Sequence, residues 1–155
     1  QLRMNTDEIR SALDFICGAE FIGVFARNTM PCRLPNTCIL VVNTDPSYRP
    51  GTHWIAMRFD NGCGEYFDSF GRYPEKTFQT YMNEHCARWT FNGKQLQSAA
   101  SRFCGSYVIF VAAYWKLGFC MHRIVSFFTN DYGLNDVMTH EFACRRLNSI
   151  MNARR

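Results

Sequence analysis

The chain has 155 residues, 47% of them hydrophobic and 15% aromatic, which suits one globular domain with its own core and argues against a disordered chain. A formal net charge of +4 permits an acidic partner or nucleic acid without demanding one. The longest apolar run, Tyr107–Trp115, is closed by Lys116 and is too short to span a bilayer.

From the start of the chain, Gln1–Arg10 carries charges and no apolar run, so it does not read as a secretory signal, and Met4 reads as a natural first residue. Thr6 reads as an N-cap followed by Asp7 and Glu8, and Ile9, Leu13 and Ile16 recur at helical spacing, predicting a helix over Asp7–Cys17 that Gly18 ends. Phe21–Phe25 is short and apolar. The prolines at 31 and 35 make Arg27–Thr37 a loop. Cys38–Asn43 is a continuous β-rich run, as in a buried strand. After a loop with Pro46 and Pro50, His53–Phe59 and Glu65–Asp68 read as strands joined by a turn at Asn61–Gly64. Pro74–Arg88 has moderate helical character, and Asn92–Gly93 marks a turn. Cys104–Leu117 is apolar nearly all round and predicts a buried central helix stopped by Gly118. Leu134–Leu147 predicts a last, amphipathic helix. The expectation is a single α+β domain over residues 1–155, with a small mixed sheet packed against a buried helix that begins at Cys104.

Eight cysteines, Cys17, Cys32, Cys38, Cys63, Cys86, Cys104, Cys120 and Cys144, could suggest disulfides, but the domain is large enough to stand without them, and a reducing compartment is expected. No C-x-x-C pair is present, and Cys120 with His122 or His140 with Cys144 gives only two ligands each, so no metal site is expected.

Four residues can carry chemistry. Cys104 stands where the buried helix begins, and the dipole and free N–H groups of a helix N-terminus favour a thiolate. Gly105 after it would let a substrate backbone approach. His53 opens a strand beside Trp54, and Asp68 ends the next strand, fifteen residues on. A hairpin brings these two strand ends to one edge, where a carboxylate can fix an imidazole tautomer. Gln97, seven residues before Cys104, can donate to an oxyanion, with Gln95 as a competitor. Singly, each has an ordinary alternative: an inert buried thiol, a packed histidine, a turn aspartate, a solvated glutamine.

Taken in order, His53-Trp54, Asp68, Gln97 and Cys104-Gly105 resemble the adenovirus-type cysteine proteases (adenain), in the clan that includes SUMO-specific proteases. The matching stretches are Gly51-Thr52-His53-Trp54-Ile55-Ala56, Tyr66-Phe67-Asp68-Ser69-Phe70-Gly71, and Gln97 through Cys104-Gly105. The likeness runs from about Asp7 to Phe110, and Asn135-Asp136 ahead of an apolar helix is similar to a clan feature. Adenoviral enzymes commonly carry Glu where Asp68 stands, and this chain is shorter than they are. A relative from another DNA virus or a virus-like transposon fits better. The resemblance implies a thiol endopeptidase acting on viral precursor proteins near glycine in virion maturation, with His53, Asp68, Gln97 and Cys104 as its catalytic set and no cofactor needed for the chemistry. It also implies an activating peptide joined by a disulfide to Cys86, in a stretch polar enough to be exposed. Weak DNA binding through Arg3, Arg10, Arg145, Arg146, Arg154 and Arg155 would follow as well. The expected setting is a virion or the nucleus or cytoplasm of a host cell. A deconjugating protease for ubiquitin-like proteins and a catalytically inactive binding module of the same fold are the alternatives.

Overall fold

The computed structural model describes residues 3–155; the signal reading of Gln1 and Leu2 lies outside the described residues. Helix α1 (Thr6–Cys17) opens with a capping box. Asn5 Oδ1 accepts from Glu8 N at 2.8 Å, while Asn5 N donates to Glu8 Oε1 at 3.2 Å. The cap is therefore Asn5 and not Thr6: the N3 glutamate needs its partner three residues earlier.

Five strands follow in spatial order: β1 (Phe21–Ala26), β2 (Thr37–Asn43), β3 (Trp54–Asp60), β4 (Cys63–Phe67) and β5 (Arg88–Phe91). The centre is antiparallel, β2 against β3 and β3 against β4, while β1 and β5 run parallel to their neighbours at the two edges. Helix α2 (Lys76–His85) is the crossover between β4 and β5. Sequence patterning missed β5, because it has only four residues and follows directly on the helical segment.

Both faces of the sheet are covered, which explains the unbroken apolar run of β2. Ile39 and Val41, with Ala56 of β3, face a core shared with α1, α3 (Cys104–Lys116) and α5 (Tyr132–Ala153). Leu40 and Val42, with Ile55 and Met57, face Phe78, Tyr81 and Met82 of α2. Every residue of α3 except Tyr114 and Lys116 is buried, so the helix is central, as its composition demands. The short helix α4 (Met121–Val125) is an addition to the predicted elements. Helix α5 is longer than predicted at both ends. Asp131 caps it, accepting from Leu134 N at 3.1 Å, and Ile150 extends its buried face past Leu147. No helix among the described residues is long and apolar enough to cross a membrane.

Candidate active site

The hairpin of β3 and β4 delivers two polar residues to one edge of the sheet. His53 immediately precedes β3, and its carbonyl accepts from Thr44 N at 2.9 Å, which ties it to the chain leaving β2. Asp68 immediately follows β4. His53 Nε2 and Asp68 Oδ1 are 2.7 Å apart, and both residues are buried. A carboxylate only accepts, so Nε2 carries the proton and Nδ1 is the ring nitrogen left for another partner. Asp68 Oδ1 also accepts from Phe70 N at 2.9 Å, and Phe70 stacks on the imidazole with ring centroids 4.7 Å apart. Asn92 clamps the aspartate backbone from the β5 side, accepting from its N–H and donating to its carbonyl.

Cys104, the first residue of α3, lines the same cavity as His53, and the two groups act on each other's titration. Among the described residues no side chain caps the helix, whose first N–H groups lie at the thiol's end of the site. Burial by itself pushes the Cys104 thiol up. The hydrogen bond and charge of His53, a hydrogen bond from the Trp54 backbone and the charge of Arg3 outweigh it, and the net shift is downward. For His53, burial opposes the charged form, but the hydrogen bonds and charges of Asp68 and Cys104 prevail and raise its pKa to about 9. The two shifts favour a thiolate–imidazolium pair.

Gln97 is almost fully buried in the irregular segment before α3. Its Oε1 accepts from Ser69 Oγ, and its Nε2 donates to Ser101 O at 3.0 Å and Ser101 Oγ at 2.9 Å. A cavity of about 280 Å³ brings together Arg3, His53, Gln97, Ser101, Arg102 and Cys104. All four residues singled out in the sequence therefore converge: three line this cavity, and Asp68 stands behind the imidazole. Gln95 does not line it; its Nε2 donates to Gln97 O at 3.0 Å.

Gly105 has a different role from the one expected. It is buried, and a Cβ there would lie 2.7 Å from Met4 Cβ, so its smallness admits the N-terminal segment rather than a substrate. Cys86, expected on the surface, is half-buried. Its Sγ donates to Met82 O at 3.1 Å, and burial pushes its thiol up. Cys144 and His140 do meet, with Sγ 3.6 Å from Nε2, but no third ligand joins them among the described residues.

Sequence reading missed three contributors to the site: Ser69, Ser101 and Arg3. Ser69 lies in a matching stretch beside Asp68, a usable signal. Arg3 gave none; it looked like one basic residue among several near the chain start, yet it lines the cavity and donates to Gly51 O.

No protein-family model matches the chain, and no curated protein does. Solved structures do. One crystal structure of the ASFV pS273R protease is 25% identical, with a TM-score of 0.52, over 70% of this chain and 44% of its own. Another structure of that protease gives 18% identity and a TM-score of 0.64 over 89% of this chain and 66% of its own. The chain has the fold of these proteases. SUMO protease Ulp1, crystallised with its catalytic cysteine oxidised to a sulfinic acid, shares it at 13% identity and a TM-score of 0.56, over 96% of this chain and 78% of its own. The chain thus spans between about half and two-thirds of the ASFV protease structures it resembles.

Proposed function

We propose that this chain is a cysteine endopeptidase that cleaves viral or virus-like precursor proteins near glycine. One observation carries the reading: a buried His53, hydrogen-bonded to Asp68 behind it, shares one cavity with a thiol at the start of a central helix. The fold shared with the ASFV protease and Ulp1 supports it.

In this reading the Cys104 thiolate attacks the scissile carbonyl carbon, forming a C–S bond and moving an electron pair onto the oxygen. The Cys104 N–H and the Gln97 amide hold that oxyanion. Collapse breaks the C–N bond as the Nδ1 proton of His53 passes to the leaving nitrogen. Water then attacks the thioester, His53 takes its proton, the C–S bond breaks and the thiolate returns. Asp68 keeps Nε2–H in place throughout without becoming protonated.

Hydrolysis of fluorogenic Leu-x-Gly-Gly peptides tests the proposal. Cys104→Ala should lose turnover by on the order of a thousand-fold or more with its circular dichroism unchanged. Wild-type turnover in that variant sinks the reading. A deconjugating protease for ubiquitin-like proteins is the second reading, favoured by the 96% coverage of this chain in the Ulp1 likeness. Faster cleavage after the tail of a ubiquitin-like fusion than of a free peptide would select it.

The adenain-type extension adds an activating peptide tethered through Cys86 and weak binding of duplex DNA, in a virion or in the host nucleus or cytoplasm. The tether requires the Cys86 thiol to leave Met82 O. Stimulation by a cysteine-bearing viral peptide that is lost in Cys86→Ser supports it, and full activity of the chain alone refutes it. For DNA, Arg145, Arg154 and Arg155 are exposed, whereas Arg3 faces the cavity. Salt-sensitive binding of labelled duplex tests that surface, and no binding at low salt rules it out.

A further inference from the structure

The Asp68-Ser69 turn reaches both sides of the site. Asp68 holds His53, while the next residue holds Gln97. Ser69 is fully buried, its carbonyl accepts from Leu96 N at 2.9 Å and from Gln97 N at 3.0 Å, and its hydroxyl donates to Gln97 Oε1. Gly71 makes this close approach feasible. Its φ is +69°, and a Cβ there would sit 2.4 Å from the Lys94 carbonyl carbon.

The carboxamide has one allowed orientation. Turned over, its oxygen would face the Ser101 carbonyl, acceptor against acceptor, and its NH2 would face Ser69. In the observed orientation the Ser101 carbonyl anchors one N–H. The other rests on Ser101 Oγ, a rotatable hydroxyl of a residue that lines the Cys104 cavity. The bond from Ser69 to the amide oxygen fixes the far end of the group and draws electron density from nitrogen, strengthening its N–H groups as donors.

From this network we infer that Ser69 is a positioning residue, whose hydroxyl holds and polarises the Gln97 carboxamide so that its Nε2 serves the Cys104 cavity. The inference rests on the peptidase reading of Gln97. It differs from a packing role for Ser69, which would affect every reaction of the site alike.

Two reactions of Cys104 separate these roles. A Leu-x-Gly-Gly peptide aldehyde adds the thiol across its carbonyl and needs the oxyanion donors. Iodoacetamide alkylates the thiolate, releasing iodide, and needs none. Ser69→Ala should weaken the aldehyde about ten-fold and change alkylation by less than about two-fold, as expected for a buried acceptor that loses its donor. Ser69→Ala added to Gln97→Ala should cause no further loss, because the two act as one unit. Equal losses in both reactions, or no loss in either, overturn the inference. If Ser69→Ala does not fold, Ser69→Cys keeps nearly the same volume with a weaker donor and should give an intermediate loss of aldehyde affinity.

The Gln97 side-chain amide signals in ¹H–¹⁵N spectra give an arm that needs no catalysis. In Ser69→Ala they should move toward those of a free glutamine, while backbone signals away from residues 68–71 and 95–101 stay in place. Unmoved amide signals overturn the inference. A wild-type chain that alkylates at Cys104 but forms no aldehyde adduct counts against the peptidase reading instead, and the spectra still decide the role of Ser69.

Discussion

His53 presents Nε2, not Nδ1, to Asp68, at 2.7 Å. The proton between them stays on Nε2, directed at the carboxylate. In the proposed reaction the nitrogen left to exchange protons with Cys104 is the one nearer the backbone, so small shifts in the strand entry at Thr52–Trp54 would act directly on it.

The pH dependence of Cys104 follows from the coupled pair. The thiol is shifted below its ordinary value and His53 is raised to about 9, so the ion pair fills the window between them. Alkylation of Cys104, followed by peptide mass spectrometry, should rise at a pH below the ordinary thiol range. Peptide hydrolysis should fall again as pH passes about 9, where His53 loses the proton the leaving amine needs. In His53→Ala, burial of Cys104 is no longer opposed by the imidazolium, and its alkylation should move to a pH above the ordinary thiol range. A His53→Ala profile that overlays the wild type contradicts the pair.

Removing the carboxylate should be milder than removing the ring. Asp68→Ala leaves Phe70 stacked against the imidazole but frees Nε2, and kcat/KM should fall roughly a hundred-fold, at the lower end for general acid–base catalysis. His53→Ala should lose more. The order of the two losses in one peptide assay is the check, and a larger loss for Asp68→Ala would reverse the assignment.

Gly105→Ala should destabilise the fold by about 1–3 kcal/mol through overpacking against Met4. Urea unfolding measures it. Met4→Ala in the same chain removes the side chain beyond Cβ but keeps the atom in collision, whereas Met4→Gly removes that too. Met4→Gly should therefore relieve the Gly105→Ala penalty better than Met4→Ala does.

Asn135 offers a stability test away from the chemistry. Its Nδ2 donates to Leu96 O at 3.0 Å and Thr129 O at 2.9 Å, and its Oδ1 accepts from Thr129 N at 2.9 Å. Asn135→Ala removes three hydrogen bonds made by a buried side chain and should cost about 1–3 kcal/mol in urea unfolding. Because Leu96 adjoins Gln97, kcat should fall with it, while alkylation of Cys104 stays close to wild type.

Much of this arrangement was legible in the chain itself. The apolar run of β2 and the all-round apolar α3 report burial directly, and the hairpin spacing brings His53 to Asp68 whatever packs around them. Other parts were not. Strand β5 alternates Trp89 and Phe91 with polar residues, but its four positions, wedged between a helix and a turn, are too few to stand out, and the parallel register with β4 defines it. The cap at Asn5 was hidden by Thr6, an equally good capping residue one position later. Gly105 followed the nucleophile and so invited a catalytic explanation, when the contact that requires it comes from Met4, about a hundred positions away. Arg3 likewise acts through a tertiary contact that no local pattern announces.

The separations within the site also bear on how it comes together during synthesis. His53 and Asp68 lie 15 residues apart across a tight turn, while Ser69 and Gln97 are 28 apart with a helix and an edge strand between. Loop closure is cheaper for the shorter span, and the hairpin leaves the ribosome first. The imidazole–carboxylate pair can thus assemble on a nascent chain that has not yet acquired Cys104. The thiol joins only when α3 docks into its core, so the meeting of Cys104 with His53 is a late product of folding, and a truncated chain that stops before α3 carries the imidazole–carboxylate pair without its thiol.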